Sequence, residues 1–223
     1  MKSLLIETCT ERGVIAISDA EKILYQKQLP YGLQNSSYLL PAIEEVLKNA
    51  NVLLTHIELI TIGIGPGSYT GIRMGAIAAK TLSYALKIPL VGVCTLNCFA
   101  PKDDGKFAAI IDAKIGGFYL LKGFKNDHTV KYEFKPTLCL LNDLEAHLSP
   151  VNTLVTPNKQ RIAPILQNQF PHLNFEWEES DPDVNQLLLQ GQQAFEKGHF
   201  SINGSLELMY LRKTQAEIER EKL

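Results

Sequence analysis

Apolar residues first gather in three short runs, at 2–8, 13–18 and 22–28, separated by the turn-prone stretches Thr10-Glu11-Arg12-Gly13 and Asp19-Ala20-Glu21. Runs of that length between tight turns predict three strands in an antiparallel meander. The period then changes. Leu39, Leu40, Ile43, Val46, Leu47 and Ala50 fall on one face of a helix. Asn35, Ser36 and Ser37 are candidate N-caps, and Pro41 sits near the first turn, where a missing N–H costs least. A strand at 58–64, a glycine-rich loop, a long helix at 70–87, a strand at 89–94 and a short helix at 95–99 follow. Strand and helix alternating at these spacings predict right-handed crossovers and a parallel section of sheet.

Pro101-Lys102-Asp103-Asp104-Gly105 has no periodicity and reads as a linker. After it the pattern restarts, with strands at 107–113, 118–123 and 130–134, a helix at 142–148, a strand at 153–156, and helices at 159–168 and 183–197. The restart is an internal repeat. Leu4-Leu5-Ile6-Glu7-Thr8, a turn and Gly13-Val14-Ile15-Ala16 correspond to Ala109-Ile110-Ile111-Asp112-Ala113, a turn and Gly117-Phe118-Tyr119-Leu120. Each half opens with an apolar strand that ends in an acid, then a tight turn and a second strand. This is the outline of the α/β actin-like ATPase fold, which is ribonuclease H-like: two lobes of mixed sheet with helices, at 1–101 and 102–223, the second reduced, its last helix packing back on the first lobe.

Composition narrows the classes. A chain of 223 residues, 45% hydrophobic and 21% charged, buries roughly 70% of its unfolded surface, so disorder is excluded and no disulfide or metal staple is needed. A net charge of −2 excludes gripping nucleic acid through overall charge. The stretch 102–135 is mildly basic and 140–200 is acidic, and neither is a nucleic-acid footprint. The N-terminal apolar run stops at Glu7, and Lys80 and Lys87 break the longest apolar stretch, so neither signal peptide nor membrane span is expected. Cys9, Cys94, Cys98 and Cys139 lack dense or CxxC spacing and suit a reducing cytoplasm. The mixed signs of 212–222 at helical spacing predict a solvated helix face.

The most distinctive stretch is Gly65-Pro66-Gly67-Ser68-Tyr69-Thr70-Gly71-Ile72-Arg73. It lacks the Lys of a P-loop, its glycines are one residue too far apart for a dinucleotide loop, and Ser68 lacks the flanking glycines of a nucleophile elbow. A tight strand-to-helix turn capped by Ser68 or Thr70, or a contact with an anion or a partner, remain open. On the helix that follows, Arg73, Lys80 and Lys87 form one line and Gly71, Gly75, Ala79 and Ser83 another. Small residues in line let a second helix approach closely, either within the chain or from a partner.

Catalytic constellations are sparse. His56, His128, His147, His172 and His199 are never closer than 19 residues, so there is no HxxxH or HExxH pair. Glu7 and Asp112, the two strand-end acids, match the carboxylates that organise Mg²⁺ and water in an actin-like ATPase. The first turn, however, holds Glu11 instead of the glycine pair that a phosphate-wrapping turn wants. Nucleotide hydrolysis is therefore disfavoured.

The signature loop, together with Met74-Gly75, Ile88-Pro89-Leu90-Val91-Gly92-Val93, Ile6-Glu7-Thr8, Ser36 with Leu39-Leu40-Pro41, Ile111-Asp112-Ala113-Lys114 and Tyr210-Leu211-Arg212, resembles the TsaB (YeaZ) family of the bacterial machinery that makes N6-threonylcarbamoyladenosine (t6A) in tRNA. The resemblance implies the actin-like fold and a non-catalytic subunit with no cofactor of its own. Such a subunit pairs with a TsaD-type catalytic paralogue that transfers threonylcarbamoyl to adenosine 37 of tRNAs reading ANN codons. A TsaE-type ATPase joins the pair, ATP and metal belong to the partners, tRNA is met only through the complex, and the subunit can form a homodimer. The resemblance implies that the interface lies on the two first-lobe helices, at Leu39, Ile43, Leu47, Gly71, Gly75, Ala79, Leu82 and Ser83, beside the signature loop Gly65, Pro66, Gly67, Ser68, Tyr69, Thr70 and Arg73. Glu7 and Asp112 are then vestigial nucleotide-site acids. Glu7 stands where the family usually has Asp, and Asn35 where it often has His. The alternatives are an actin-like ATPase or small-molecule kinase acting alone, and a metalloprotease-like hydrolase.

Overall fold

The computed structural model describes residues 1–32, 36–114, 117–127, 129–133, 135–149 and 151–212. The predicted cap at Asn35 and the helical tail after Arg212 lie outside them. The first sheet contains β1 (Lys2–Glu7), β2 (Val14–Asp19), β3 (Lys22–Gln28), β4 (Leu59–Gly63) and β5 (Leu90–Val93), in the order β3-β2-β1-β4-β5. β1 pairs antiparallel with β2 and parallel with β4, so the predicted meander and parallel section share one central strand. Helices α1 (Ser36–Asn49) and α2 (Tyr69–Leu86) fill the crossovers.

The second sheet contains β6 (Gly105–Asp112), β7 (Gly117–Asn126), β8 (Thr129–Tyr132), β9 (Thr137–Leu140), β10 (Thr153–Thr156) and β11 (Glu176–Glu179). Its order, β8-β7-β6-β10-β11, repeats the first sheet strand for strand, and β9 pairs with β7 alongside β8. The repeat read from sequence is therefore a repeat of topology. What shrinks in the second half is the helical layer: α3 (Leu144–Leu148) and α4 (Lys159–Gln169) have 5 and 11 residues where α1 and α2 have 14 and 18.

Period-2 alternation assigns each strand's residues to two cores. In β1, Leu4 and Ile6 face α1 and α2 while Leu5 faces the other way; in β6, Ala108 and Ile110 face α3 and α4 while Phe107, Ala109 and Ile111 face the other way. The residues turned away from the helices form one continuous core that joins the sheets. It includes Phe99 of the connecting segment and Val184, Leu187 and Leu188 of α5 (Val184–Glu196). α5 follows β11 in the chain but packs on β5, β4, β1 and β2 of the first sheet. Fully burying side chains of this kind stabilises by about 1.5–3 kcal/mol each, so the two halves are held by a shared apolar core and not by a thin hinge. Among the described residues, no helix is long and apolar enough to cross a membrane.

Two strands escaped the sequence reading. β9 is four residues hard against a helical turn. β11 is Glu-Trp-Glu-Glu, with too little apolar content to announce itself. Both lie at sheet margins, where charge and brevity guard an edge.

Candidate functional site

The β1–β2 turn, the 65–69 loop, residues 111–114 at the end of β6, the start of α4 and the segment 209–212 enclose a cleft of about 570 Å³ between the two sheets. Its mouth is framed by the signature loop. Gly65 has φ +103° and lies against the Met209 carbonyl, 2.7 Å from where a Cβ would stand, so a side chain there is excluded twice over. Pro66 is buried. Gly67 presses on the Cys9 carbonyl, and the Ser68 N–H donates to that oxygen at 2.6 Å. Ser68 is also the N-cap of α2, accepting from the Gly71 N–H at 3.3 Å, which settles the capping choice in its favour over the exposed Thr70. Tyr69 lies under the Arg73 guanidinium, 3.9 Å from the ring centroid. Tyr210 packs on Tyr69 at 5.2 Å and accepts a hydrogen bond from Arg73 Nε. The Tyr210-Leu211-Arg212 motif is thus pinned to the start of α2. Its Met209 N–H donates to the Ile64 carbonyl, and Arg212 donates to the Ala113 carbonyl of the second half.

The β1–β2 turn reaches across the cleft. Glu11, with its side chain 14% exposed, accepts hydrogen bonds from Asn158 Nδ2 and Tyr31 Oη, both at 2.9 Å. Lys114 and Arg161 approach the same carboxylate at 3.7 and 3.4 Å. Arg12 donates to the Pro157 carbonyl at 2.7 Å and pairs with Asp181 and Glu179 at 3.1 and 3.4 Å. Where a phosphate-wrapping turn would offer glycine N–H groups, this chain places two charged side chains that bind its own second half. From the sequence, only Glu11 is out of place for such a turn. The partners Tyr31, Asn158 and Arg161 lie 20 to 150 residues away and carried no sequence signal.

The two strand-end acids part company. Asp112 lines the cleft, accepts from the Lys114 N–H at 2.7 Å and meets Arg161 at 3.6 Å. Glu7 does not reach the cleft. It is fully buried behind it, accepting from the Cys9 N–H at 2.6 Å and Thr95 Oγ1 at 3.0 Å, against Gly63. Burial, opposed only in part by these hydrogen bonds, raises its pKa above the usual carboxylate range. Between the ordinary carboxylate pKa and the raised value, the folded state holds a proton on Glu7 that the unfolded chain has released. The stabilisation this gives is complete below the ordinary carboxylate pKa and is lost as pH rises through the raised value. We expect the stability of Glu7→Gln relative to wild type to increase with pH across that window in urea titrations; a pH-independent difference would contradict it. Burial also pushes Cys94 up to about 12 and Cys9 and Cys98 well above an ordinary thiol, which disfavours the thiolate that a nucleophilic cysteine needs. Among the described residues, no three His, Cys, Asp or Glu side chains are grouped to hold a metal ion.

The helices expected to form an interface are placed differently from the sequence reading. Gly71, Gly75, Ala79 and Ser83 are buried against the chain's own sheet. Gly71 abuts the Thr8 carbonyl, Gly75 abuts Thr8 Oγ1 and Ile62, and Ser83 donates to the Ile88 carbonyl at 2.7 Å. Leu39 and Ile43 are core residues, and Leu47 and Leu82 pack against the same core. The line of small residues lets the helix settle on β1 and β4, while Leu47 and Leu82 are only partly buried. The exposed positions are others: Leu40 at 63%, Ile77 at 68% and Tyr84 at 74%. Ile77 and Tyr84 are seven apart, interleaved with Arg73 and Lys80 on one stripe.

The chain matches the family described as "TsaD: tRNA N6-adenosine threonylcarbamoyltransferase" over residues 33–219. It is 31% identical over 129 residues to the tRNA threonylcarbamoyladenosine biosynthesis protein TsaB of Buchnera aphidicola subsp. Schizaphis graminum, covering 56% of this chain and 61% of that protein. To the protein of the same name from Bacillus subtilis it is 35% identical over 111 residues, covering 48% and 46%. The chain thus spans about half to three-fifths of the length of the curated relatives it matches. YeaZ from Pseudomonas aeruginosa superposes with a TM-score of 0.79 over 94% of this chain and 99% of that one, at 20% identity, and so shares the fold.

Proposed function

The chain belongs to the tRNA N6-adenosine threonylcarbamoyltransferase family, on its TsaB/YeaZ side, and from that premise we propose that it is an accessory, non-catalytic subunit of the machinery that makes t6A in tRNA. It pairs with a TsaD-type catalytic paralogue and is required for that subunit to transfer threonylcarbamoyl to N6 of adenosine 37 in tRNAs reading ANN codons. The observation that carries this reading is the exposed stripe of α2, with Ile77 and Tyr84 outward, together with the exposed Leu40 on α1. Large apolar side chains grouped on an exposed helical layer mark a protein interface. α1 and α2 already bury their other faces on the first sheet, so only this side is left for a partner. In the absence of the paralogue, the same face supports a homodimer.

The chain brings no cofactor; ATP and metal belong to the catalytic partner and to a TsaE-type ATPase that joins the pair. It meets tRNA only through the complex, in the cytoplasm. The alternative of an ATPase or kinase acting alone gains no support, because Glu11 directs negative charge into the cleft and its neighbouring cations are already engaged. The test is size exclusion of the full chain alone and mixed with its catalytic paralogue, with t6A measured in tRNA from depleted cells. A mixed species and a loss of t6A on depletion are expected. No mixed species, with unchanged t6A, would refute the reading.

A further inference from the structure

The cleft between the two sheets has a lining that the pairing role proposed above does not call on. We propose that it binds a small-molecule monoanion, a carboxylate on an apolar or aromatic body, with Arg212 receiving the carboxylate and the tyrosines of the cleft receiving the body.

Four observations carry this. The volume, about 570 Å³, falls within the range of roughly 300–1,000 Å³ typical of small-molecule sites. The wall is largely aromatic and apolar: Tyr69, Tyr119, Tyr210 and Met209 line it. Two of those rings are already ordered, Tyr69 and Tyr210 packing together and held by Arg73, so little side-chain freedom is lost on binding.

The charges then fix the ligand class. The cleft holds the carboxylates of Glu11 and Asp112 and the cations Lys114, Arg161 and Arg212. Lys114 and Arg161 are matched to the two carboxylates. Arg212 has one hydrogen bond, to the Ala113 carbonyl, and no carboxylate partner among the described residues. A guanidinium carries five N–H donors in a fork suited to a carboxylate, so most of its capacity remains. Among the described residues that line the cleft, one positive charge is in excess, which suits one negative charge on the ligand. A polyphosphate would need further cations and a nest of backbone N–H groups, and it would meet the Glu11 carboxylate instead.

The test uses the full chain and a defined panel, 3-phenylpropionate, indole-3-acetate and hexanoate, with 3-phenylpropanamide as neutral isostere and Mg-ADP as polyphosphate, read by calorimetry and saturation-transfer NMR. At least one carboxylate is expected to bind at millimolar concentration, with the amide weaker by roughly tenfold or more, as for loss of a charge-assisted hydrogen bond. Arg212→Gln is expected to weaken the carboxylate by a similar factor while Arg212→Lys retains part of it, with circular dichroism checking that both variants fold. Equal binding of acid and amide, no binding by any carboxylate, an unaffected Arg212→Gln, or tighter binding of Mg-ADP would each overturn the proposal. None of these outcomes bears on pairing with the paralogue, so the two readings fail separately.

Discussion

Gly71→Ala is expected to destabilise the chain by about 3 kcal/mol or more, at the upper end of what overpacking a core costs and a large share of the roughly 5–15 kcal/mol that holds a domain folded. A Cβ at position 71 would stand 2.0 Å from the Thr8 carbonyl oxygen. That oxygen is backbone at the end of β1, the strand at the centre of the first sheet, so it cannot turn aside as a flexible side chain would. α2 would have to lift away from the sheet, breaking the hydrogen bond from Thr8 Oγ1 to the Gly71 carbonyl at 2.8 Å and loosening the Ser68 cap. Gly75→Ala meets Thr8 Oγ1 at 2.4 Å and Ile62 at 3.2 Å; it should cost less, because a hydroxyl can rotate, but it forfeits the same hydrogen bond. Urea unfolding of the purified variants measures both. A Gly71→Ala protein within about 1 kcal/mol of wild type would mean that the helix does not sit as close to the strand as the geometry requires.

Spacing alone leaves open what the small residues meet, a helix of the same chain or one of a partner. A row of small residues every fourth position signals close approach, and that much is legible in sequence. What approaches is not, because a strand and a second helix demand the same small residues. The fold itself was legible further than the site. Nearly every strand of the first half, and the duplicated strand–turn–strand unit, followed from periods of two and of 3.6, since burial on one face imposes them directly. β9 and β11 did not, because a four-residue edge strand is stabilised by pairing and not by its own pattern. The cleft was legible only through its near residues. Glu11 stood out as wrong for a phosphate turn, yet nothing at position 11 announces Asn158 or Arg161, which reach it only after two sheets have assembled. Glu7 and Asp112 were equivalent by position in the repeat; they separate because Glu7 faces Thr95 and Gly63 in the interior, whereas Asp112 opens onto the cleft.

Ile77→Glu and Tyr84→Glu should do the opposite of the glycine variants, leaving the fold intact and sharply weakening association. Both side chains are more than two-thirds exposed, so their replacement should shift folding stability by no more than about 0.5 kcal/mol. If the stripe is the docking face, each introduces a charge that must be stripped of water in an apolar contact. Central interface positions of this kind are worth about 2–4 kcal/mol, which is a loss of roughly thirtyfold to a thousandfold in affinity for the catalytic paralogue. The contrast supplies the control: the glycine variants impair pairing only as they impair folding, whereas the stripe variants separate the two. Lys80 on the same stripe predicts that an acidic residue flanks the partner's apolar patch, so Lys80→Glu should slow association most at low salt and lose that effect as ionic strength rises. Titration calorimetry against the paralogue, with unfolding midpoints measured in parallel, decides the matter. If Ile77→Glu and Tyr84→Glu bind as tightly as wild type, the partner docks elsewhere, and the exposed helical layer loses the role assigned to it.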